Sequence, residues 1–393
     1  MLKNIIIIND FDYIQGGASK VAIQTANMLA KSNHNLNVFF FSAVHSEEST
    51  LNEDVKRIYT NQSEAMKDKN KIRGFINGVY NFKAKRELRK LLNSLDKDET
   101  VIHVHGWTKA LSSSVFDMAF KMKYKVVLTM HDYFTACPNG GFFNYKKNEI
   151  CTIKPLSCKC ITCNCDSRNY LIKLYRIVRQ FVQSKIVKLN KKIDDVISIS
   201  DLSEKVLKET LSKDVSIHRI YNPVELDSNP VKANYRDNKY FLYVGRIAKE
   251  KGVDIFCEAL TKTNQTGIVV GDGPELKSLK EKYDKIHFLG WKNSDEVKRY
   301  MKEAKCLIFP SRWYETMGLT VIEAQQYGIP ALVSQNSAAR EFIDINNNGR
   351  TFSNTQELIQ LINDFDKIEF NTTEPTKYTN KDYIENILKA YKR

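Results

Sequence analysis

Short apolar runs recur along the whole chain and alternate with longer stretches of helical spacing, such as residues 19–31. Runs of this length are typical of buried strands, and the helical stretches are typical of the connections between parallel strands. The predicted strands are Ile5–Ile8, Asn37–Phe41, Val101–Val104, Val126–Met130, Val196–Ser200, Tyr240–Val244, Gly267–Val270, Ile286–Leu289, Cys306–Phe309 and Ala331–Val333. The alternation predicts an α/β protein with parallel, doubly wound sheets.

The strand–helix alternation occurs twice, once on each side of Asn222-Pro223, a dipeptide that favours a turn. A chain of 393 residues is also long enough to bury two hydrophobic cores. We therefore predict two facing Rossmann-like domains, residues 1–222 and 223–393. Because open parallel sheets bind ligands beyond the carboxyl ends of their strands, the expected site lies in the cleft between the domains.

Composition places the chain among soluble globular proteins, with 42% hydrophobic and 27% charged residues. It contains no run of about 18 uncharged apolar residues, so we expect no membrane-spanning helix. The first apolar run, Ile5–Ile8, is too short for a secretory signal. These features predict a cytoplasmic protein.

The net charge of +14 is distributed unevenly. Residues 1–222 carry 35 Lys and Arg against 22 Asp and Glu, whereas residues 223–393 carry 25 against 24. A positive field confined to one half suggests a polyanionic partner for that half, either nucleic acid or an anionic membrane surface.

The segment from Phe309 to Pro330 carries the most specific chemistry. A predicted strand ends at Pro310-Ser311, and a helix is predicted from about Leu319 to Tyr327. Free amides at the start of that helix would face an anion. Glu315 in the loop and Glu323 in the helix could accept hydrogen bonds from the hydroxyls of a ribose or another sugar.

Three glycine-containing turns also follow predicted strands and precede helices: Gly16-Gly17, Gly245-Arg246 with Lys251-Gly252, and Gly271-Asp272-Gly273-Pro274. Paired glycines let backbone amides approach a phosphate or a sugar, and two cations at a strand-to-helix turn suit a pyrophosphate. Taken alone, Gly16-Gly17 and the Gly271 turn are more often structural than ligand-binding, and the Gly245–Gly252 motif is equally compatible with a solvated loop.

Taken in order, Phe309-Pro-Ser, Glu315-x7-Glu323 and Gly328-Ile-Pro330 resemble the signature of the retaining glycosyltransferases of family four, and the three turns fit the same family. The resemblance implies the GT-B fold of two Rossmann-like domains, with the last helix packing back on the N-terminal domain. It implies retaining transfer from a nucleotide-sugar donor without a covalent nucleophile and without a cofactor for catalysis.

The resemblance also implies residue roles. Arg246 and Lys251 would hold the donor pyrophosphate and offset the charge that builds on it. Glu323 would bind the ribose, and Glu315 would contact the transferred sugar and the phosphates. The implied donor-binding residues are Gly16, Gly17, Gly245, Arg246, Lys251, Gly271, Gly290, Trp291, Glu315, Thr316, Met317, Gly318, Leu319 and Glu323. The implied catalytic residues are His131, Glu315, Arg246 and Lys251.

His131-Asp132 follows the predicted strand Val126–Met130, and a matching pair occurs at this place in family members. His131 is therefore expected to bind a sugar hydroxyl or to act at the reacting centre. Asp10-x-Asp12 and Asp364-x-Asp366 have the spacing of a metal-binding pair in transferases of the other major fold. So short a pattern often arises by chance, and we assign no metal to either, which predicts activity in the presence of EDTA.

Six of the eight cysteines lie between residues 137 and 165. In a cytosolic protein such density favours a metal over disulfides, and Cys160-x2-Cys163 has zinc-like spacing. The predicted ligands of a structural zinc are Cys137, Cys151, Cys160 and Cys163, which leaves Cys158 and Cys165 surplus. The alternative is a set of free or partly buried thiols.

Residues Arg168–Ile193 have the pattern of one long basic amphipathic helix, and a second basic stretch covers Lys71–Arg89. Such a helix can pack on the domain core or lie on an anionic membrane. We expect peripheral attachment to the inner face of the membrane and a glycan acceptor, such as a polyprenyl-diphosphate-linked oligosaccharide in capsule, O-antigen or exopolysaccharide synthesis.

Two alternatives follow from the same features. The first is a transferase of the glycogen-synthase or sucrose-synthesis type with a soluble acceptor, which would share the donor site. The second is a non-catalytic zinc-containing protein that binds nucleic acid, suggested by the charge and the cysteines. We expect no nucleic-acid partner, because the cysteines lie within an α/β domain and the nearly neutral second half carries the whole donor-site set.

Overall fold

The computed structural model of the chain describes residues 1–32, 34–227, 230–345, 347–372 and 380–392. The strands of the first half are β1 (Asn4–Ile8), β2 (Asn37–Ser42), β3 (Lys56–Tyr59), β4 (Thr100–Val104), β5 (Lys125–Met130), β6 (Phe143–Asn144), β7 (Glu149–Ile150), β8 (Asp195–Ser198) and β9 (Ser216–Arg219). The helices of the first half are α1 (Gly17–Ala30), α2 (Lys71–Val79), α3 (Phe82–Leu92), α4 (Ser114–Lys121), α5 (Cys158–Thr162), α6 (Tyr170–Phe181), α7 (Leu189–Lys192) and α8 (Asp201–Leu207).

Seven of these strands form one parallel sheet in the order β3-β2-β1-β4-β5-β8-β9, and β6 and β7 form a separate antiparallel hairpin. The central strand β1 is buried on both faces. Ile5 and Ile7 belong to the core on one face, and Ile6 and Ile8 belong to the core on the other. A strand covered on both sides cannot alternate apolar with polar residues, which explains the run of four isoleucines.

The second half contains β10 (Tyr240–Val244), β11 (Gly267–Val270), β12 (Ile286–Gly290), β13 (Ala304–Phe309), β14 (Ala331–Ser334) and β15 (Gly349–Phe352). Its helices are α9 (Val253–Lys262), α10 (Leu276–Lys282), α11 (Ser294–Lys302), α12 (Leu319–Gln325), α13 (Thr355–Asn363) and α14 (Asn380–Tyr391). The six strands form a second parallel sheet in the order β12-β11-β10-β13-β14-β15. Two parallel sheets with helical connections confirm the predicted doubly wound fold class.

Helix α14 returns to the first sheet. The hydroxyls of Tyr383 and Thr25 are 2.8 Å apart, and the Tyr391 hydroxyl is 2.6 Å from Nδ1 of His103. Lys125 Nζ donates a hydrogen bond of 3.1 Å to the Ala390 carbonyl oxygen. Ile387 is fully buried in the core that covers this face of the first sheet. The last helix is therefore part of the N-terminal core.

The prediction of one long helix over Arg168–Ile193 is wrong. Helix α6 ends at Phe181, a π-helical segment follows over Val182–Val187, and Lys188 has a left-handed backbone (φ 60°) before α7. The buried side chains of α6 include the polar residues Lys173, Arg179 and Gln180. Arg179 and Gln180 donate hydrogen bonds to carbonyl oxygens of the loop after β5, which compensates their burial. Apolar side chains of the same stretch, such as Leu171, Val178 and Phe181, are exposed.

Among the described residues, no helix has both the length and the apolar character that crossing a bilayer requires.

Candidate active site

The loops that follow β5 and β13 meet across the space between the two sheets. Thr316 donates a hydrogen bond of 3.0 Å from its hydroxyl to the carbonyl oxygen of His131. The rings of Tyr133 and Tyr314 lie edge to face, with centroids 6.4 Å apart. Both loops leave the carboxyl ends of parallel strands, which is where such sheets place their ligands.

Glu315 is the centre of a hydrogen-bonded cluster in the loop between β13 and α12. Its Oε2 atom pairs with Lys251 Nζ and accepts hydrogen bonds from Trp313 Nε1 at 3.0 Å and from the Ser311 hydroxyl at 3.2 Å. The side chain of Glu315 is 12% exposed and that of Lys251 is 20% exposed. Within the described residues Oε1 has no hydrogen-bond partner, so it remains available to a ligand.

Lys251 and Glu315 are 64 residues apart, and two contacts bring them together. Gly252 has φ 68°, and an added Cβ there would clash with the Pro310 carbonyl oxygen, so the turn before α9 packs directly on the end of β13. Arg312 fixes the same two segments, because its amide donates to the Glu250 carbonyl at 2.9 Å and its guanidinium pairs with Asp254. The fold thus holds the cation against the carboxylate.

Arg246 lies in the loop after β10. Its guanidinium pairs with the buried carboxylate of Glu250, while most of its side chain remains exposed. The Gly271 turn packs closely against this loop: Gly271 has φ 142°, and an added Cβ there would clash with the Gly245 carbonyl oxygen. The Ile247 amide donates a hydrogen bond of 2.9 Å to the Asp272 carbonyl. Gly245 and Gly271 are therefore adjacent in the fold.

Glu323 lies in α12 with a carboxylate that makes no hydrogen bond to any described residue. Burial raises the pKa of this carboxyl, the nearby Lys20 lowers it and Glu225 raises it. Lys20 belongs to the first turns of α1 and pairs with Glu225 at 3.0 Å. Glu323 is thus positioned where α1 of the first domain approaches the second, with both oxygens free to accept hydrogen bonds.

The start of α12 offers unused donors. The backbone amides of Gly318 and Leu319 donate to no acceptor in the described part of the chain. Thr316 and Met317 are buried and fix the backbone of this turn. Unpaired amides at a helix start attract an anion.

Four further predicted residues border open space. An added Cβ at Gly16, Gly17 or Gly290 would have no other atom within 4 Å. Trp291 is largely exposed. Gly16 and Gly17 begin α1, which places them in the same region as Lys20.

His131 ends a row of three histidines, of which His103 and His105 are buried and His131 is partly exposed. Its Nε2 atom is 2.9 Å from Nδ1 of His105, and the two rings are stacked with centroids 5.1 Å apart. The His105 and His103 centroids are 4.1 Å apart, and His103 in turn contacts Tyr391 and Thr129. Burial lowers the pKa of His131 to about 3, so the ring is neutral at physiological pH and offers hydrogen bonds rather than a mobile proton.

The chain matches the models of two protein families, which together cover nearly its whole length. "Glycosyltransferase Family 4" matches residues 15–228, and "Glycosyl transferases group 1" matches residues 227–385. The first match alone covers more than half of the 393 residues. The chain belongs to glycosyltransferase family 4.

Known proteins similar to this family 4 member include an uncharacterised 42.6 kDa protein in the cps region of Klebsiella pneumoniae, 25% identical over 99% of this chain and 100% of that protein. An Escherichia coli UDP-Gal:α-D-GlcNAc-diphosphoundecaprenol α-1,3-galactosyltransferase is 30% identical over 25% of this chain and 28% of its own length. The structure of Anabaena HepE in complex with UDP-glucose has a TM-score of 0.60 at 17% identity, covering 98% of this chain and 94% of that one.

The family 4 site contains side chains that the sequence analysis did not single out. Trp313 packs against Lys251, with Nζ 5.0 Å from the ring centroid, and His105 contacts His131. Lys20 lies near Glu323. A sequence signal existed for His105 alone, since His103 and His105 alternate at the carboxyl end of a predicted strand.

The carboxylates of the Asp10-x-Asp12 pattern in this glycosyltransferase are hydrogen-bonded to other groups of the same chain. Asp10 accepts hydrogen bonds of 2.9 Å from the amides of Lys109, Ala110 and Leu111. Asp12 accepts one of 3.0 Å from the Ser46 amide and contacts the His45 ring. Both carboxylates serve the fold of the first domain.

The four predicted zinc ligands, Cys137, Cys151, Cys160 and Cys163, line one small cavity together with Cys165, while Cys158 is exposed. All eight cysteines are free thiols. In the described parts of the chain, no three His, Cys, Asp or Glu side chains are arranged as a formed metal site.

Proposed function

We propose that this family 4 glycosyltransferase moves a sugar, with retention of its anomeric configuration, from a nucleotide-sugar donor to a lipid-linked glycan. The observation that carries the donor part is the Lys251–Glu315 cluster beside the unused amides of Gly318 and Leu319. The loop between β13 and α12 thus carries an acceptor oxygen paired with a cation and two unused amide donors, and Thr316 of this loop donates to the His131 carbonyl oxygen. The similarity to a fold that binds UDP-glucose supports the same donor class.

Each part of a nucleotide-sugar has a matching group in this site. Arg246, Lys251 and the two amides supply positive charge and donors for the diphosphate. Glu323 has two free acceptor oxygens for the ribose hydroxyls. Oε1 of Glu315 is free to accept from a hydroxyl of the transferred sugar, while Oε2 keeps the carboxylate fixed through its three donors.

Transfer with retention and without a covalent intermediate requires the acceptor to attack the face from which the diphosphate leaves. The bond between the anomeric carbon and the diphosphate oxygen breaks, and the bond to the acceptor oxygen forms on the same face. The acceptor proton passes to the departing diphosphate, whose growing charge is offset by Arg246 and Lys251. His131 is neutral, which suits it to hold a sugar hydroxyl by a hydrogen bond.

Donor binding is tested by thermal unfolding against a panel of UDP-, GDP-, dTDP- and CMP-sugars, since a true donor stabilises the fold by mass action. One nucleotide class should raise Tm for the wild type and much less for Glu323→Ala. No rise with any donor would contradict the proposal. The anomeric configuration of the product, read by NMR, tests retention separately, and an inverted product would overturn only that part. Activity should survive EDTA.

The acceptor part rests on an exposed apolar and basic surface of the first domain. Helices α2 and α6 pack together, with the rings of Phe75 and Tyr175 5.3 Å apart. These helices, α3 and the π-helical segment expose large apolar side chains to solvent. The exposed side chains are Ile72, Phe75, Ile76, Phe82, Leu171, Val178, Phe181 and Ile186.

Exposed cations accompany these apolar side chains. Several of them form no ion pair with a described carboxylate, so their charge is available to another surface. They are Lys71, Lys83, Arg89, Lys185, Lys188, Lys191 and Lys192. Basic residues near an anionic bilayer contribute about 1 kcal/mol each, and the apolar side chains would enter the interface. A membrane surface is also where a polyprenyl-diphosphate-linked acceptor resides.

The similarity to the E. coli diphosphoundecaprenol galactosyltransferase and to a cps-region protein supports such an acceptor, in capsule, O-antigen or exopolysaccharide synthesis. Family membership favours this enzyme over the nucleic-acid-binding alternative. The soluble-acceptor alternative shares the donor site and differs only in the acceptor side.

Vesicle sedimentation distinguishes these acceptors. The wild type should bind phosphatidylglycerol-containing vesicles at low salt and dissociate at high salt, and Leu171→Ser with Phe181→Ser should weaken binding. Val231→Ser is the matched control, because Val231 is 76% exposed and Leu171 is 75% exposed. Absence of vesicle binding together with transfer to a soluble oligosaccharide would favour the soluble acceptor and leave the donor assignment intact.

A further inference from the structure

Five cysteine sulphurs converge on one cavity in the first domain. The cavity has a volume of about 10 Å³ and lies between the β6–β7 hairpin, α5 and α6. Apolar side chains of Pro138, Phe142, Ile153 and Pro155 complete its lining. The thiols come from three separate stretches of chain, so the fold has brought them together. A space of this size accommodates one water molecule or one small ion.

A fully buried lysine faces the same cavity. Lys173 of α6 places its Nζ atom 3.2 Å from the sulphur of Cys165 and 3.6 Å from that of Cys160. In the described part of the chain these two sulphurs are its only side-chain hydrogen-bond partners. A buried ammonium is costly unless a negative charge compensates it, and a neutral thiol is a weak acceptor. Lys173 is therefore placed where its ammonium would compensate negative charge on the cysteine cluster.

A thiolate-bound metal ion supplies that charge. Four cysteines bind a divalent ion after their protons pass to solvent, and the resulting complex carries a formal charge of about −2. Ligand sulphurs in such sites commonly accept hydrogen bonds from nearby donors, which is the position that Lys173 holds. Zinc fits best, because it prefers tetrahedral thiolate coordination.

We propose that Cys137, Cys151, Cys160 and Cys163 bind one zinc ion and that Lys173 compensates the charge of this tetrathiolate. Cys160 and Cys163 have the two-residue separation of a zinc knuckle. Cys165 is the surplus fifth cysteine of the lining: its sulphur accepts hydrogen bonds from both Lys173 and Asn139 Nδ2, whereas that of Cys160 accepts one from Lys173 alone.

The described arrangement is not yet a coordination sphere, since no three ligating side chains in it have metal-site geometry. Zinc binding therefore requires the ligand side chains to rearrange around the ion. Cys151 and Cys163 are the less buried ligands and lie at the edges of short elements, where such movement meets little resistance.

This site would act on the chemistry through packing. The loop that carries Cys137 also carries Gly141, where an added Cβ would lie 3.2 Å from Cε3 of Trp313. The Trp313 indole in turn donates to Glu315. Zinc would thus stabilise the segment around Gly141 that packs against Trp313 of the loop between β13 and α12, without contacting the substrate.

Metal analysis of the full-length protein, purified without chelators, tests the proposal directly. We expect about one zinc per chain. Cys151→Ser and Cys163→Ser should each lose most of it, whereas Cys158→Ser, an exposed cysteine of the same helical segment, should retain it. Cys165→Ser should also retain it. Zinc below one-tenth of the chain concentration in the wild type would overturn the proposal.

A second measurement remains informative if the cysteine variants fail to fold. Wild-type protein exchanged with Co²⁺ should show the sulphur-to-cobalt charge-transfer and visible bands of a tetrahedral thiolate site. Lys173→Met should weaken retention of the ion against a chelator, and Lys173→Arg should restore part of it. A cobalt spectrum without thiolate bands would refute the site. Because these readouts are spectroscopic and analytical, their failure would leave the proposed transferase activity untouched.

Discussion

The ion pair between Lys251 and Glu315 offers the sharpest test of the candidate site. Lys251→Met removes a cation that we place on the donor diphosphate and leaves the Glu315 carboxylate, among the described residues, with Trp313 and Ser311 as its donors. Loss of one preorganised group that stabilises developing charge costs about 10²–10³ in kcat, or roughly 2.7–4 kcal/mol. We expect a loss of that order in kcat/KM.

The same substitution should also lower stability. Removing one partner of a fully buried pair costs about 3–5 kcal/mol. Lys251 and Glu315 are 20% and 12% exposed, so partial solvation should reduce the cost to about 2 kcal/mol. The double variant Lys251→Met with Glu315→Gln should recover much of this stability, because it no longer contains an unpaired buried charge.

Steady-state kinetics with the identified donor and denaturant unfolding would measure both effects. Lys262→Met is the matched control, since Lys262 pairs with Glu258 on α9 but both side chains are solvent-exposed. Its cost should be at most about 0.5 kcal/mol, with normal kinetics. The reasoning would be refuted if Lys251→Met kept kcat/KM within about threefold of wild type, since the expected loss is far larger. It would equally fail if the double variant regained activity along with stability.

Three further outcomes are expected. Gly252→Ala should cost at least about 1–2 kcal/mol and raise the donor KM, because a left-handed backbone and the Pro310 carbonyl both oppose a side chain; unchanged unfolding would contradict the packing described. The free energy of unfolding should fall as pH drops from about 6.5 towards 3, because burial holds the pKa of His103 and His131 at about 3 in the folded chain while the same histidines take up protons in the unfolded chain. Each histidine should contribute a loss of up to about 1.4 kcal/mol per pH unit, and a flat pH profile from denaturant unfolding would refute this. Glu323→Gln should raise the donor KM roughly tenfold with little change in kcat, because a ribose contact is equally strong before and during transfer; a fall in kcat alone would place Glu323 nearer the chemistry.

The central strands were predictable because each is a short, continuous apolar run. The strands β3, β9 and β15 were not predicted, since each lies at a sheet edge and mixes polar with apolar residues, as in Lys56–Tyr59. An edge strand has one neighbour and one partly solvated face, so it needs no apolar run. The interruption of the predicted helix at Lys188 could not be predicted either, because a left-handed backbone at a residue other than glycine has no signal in the sequence.

The sequence by itself determined the doubly wound architecture and the order of the site motifs, because apolar periodicity and glycine-containing turns are local properties of the chain. Only the tertiary structure decided which side chains meet. It paired Lys251 with Glu315, placed His105 behind His131, turned the polar face of α6 inward and set Lys173 among the cysteines. These contacts depend on the packing of segments far apart in the chain, and side-chain packing in three dimensions has no signature at fixed sequence spacing.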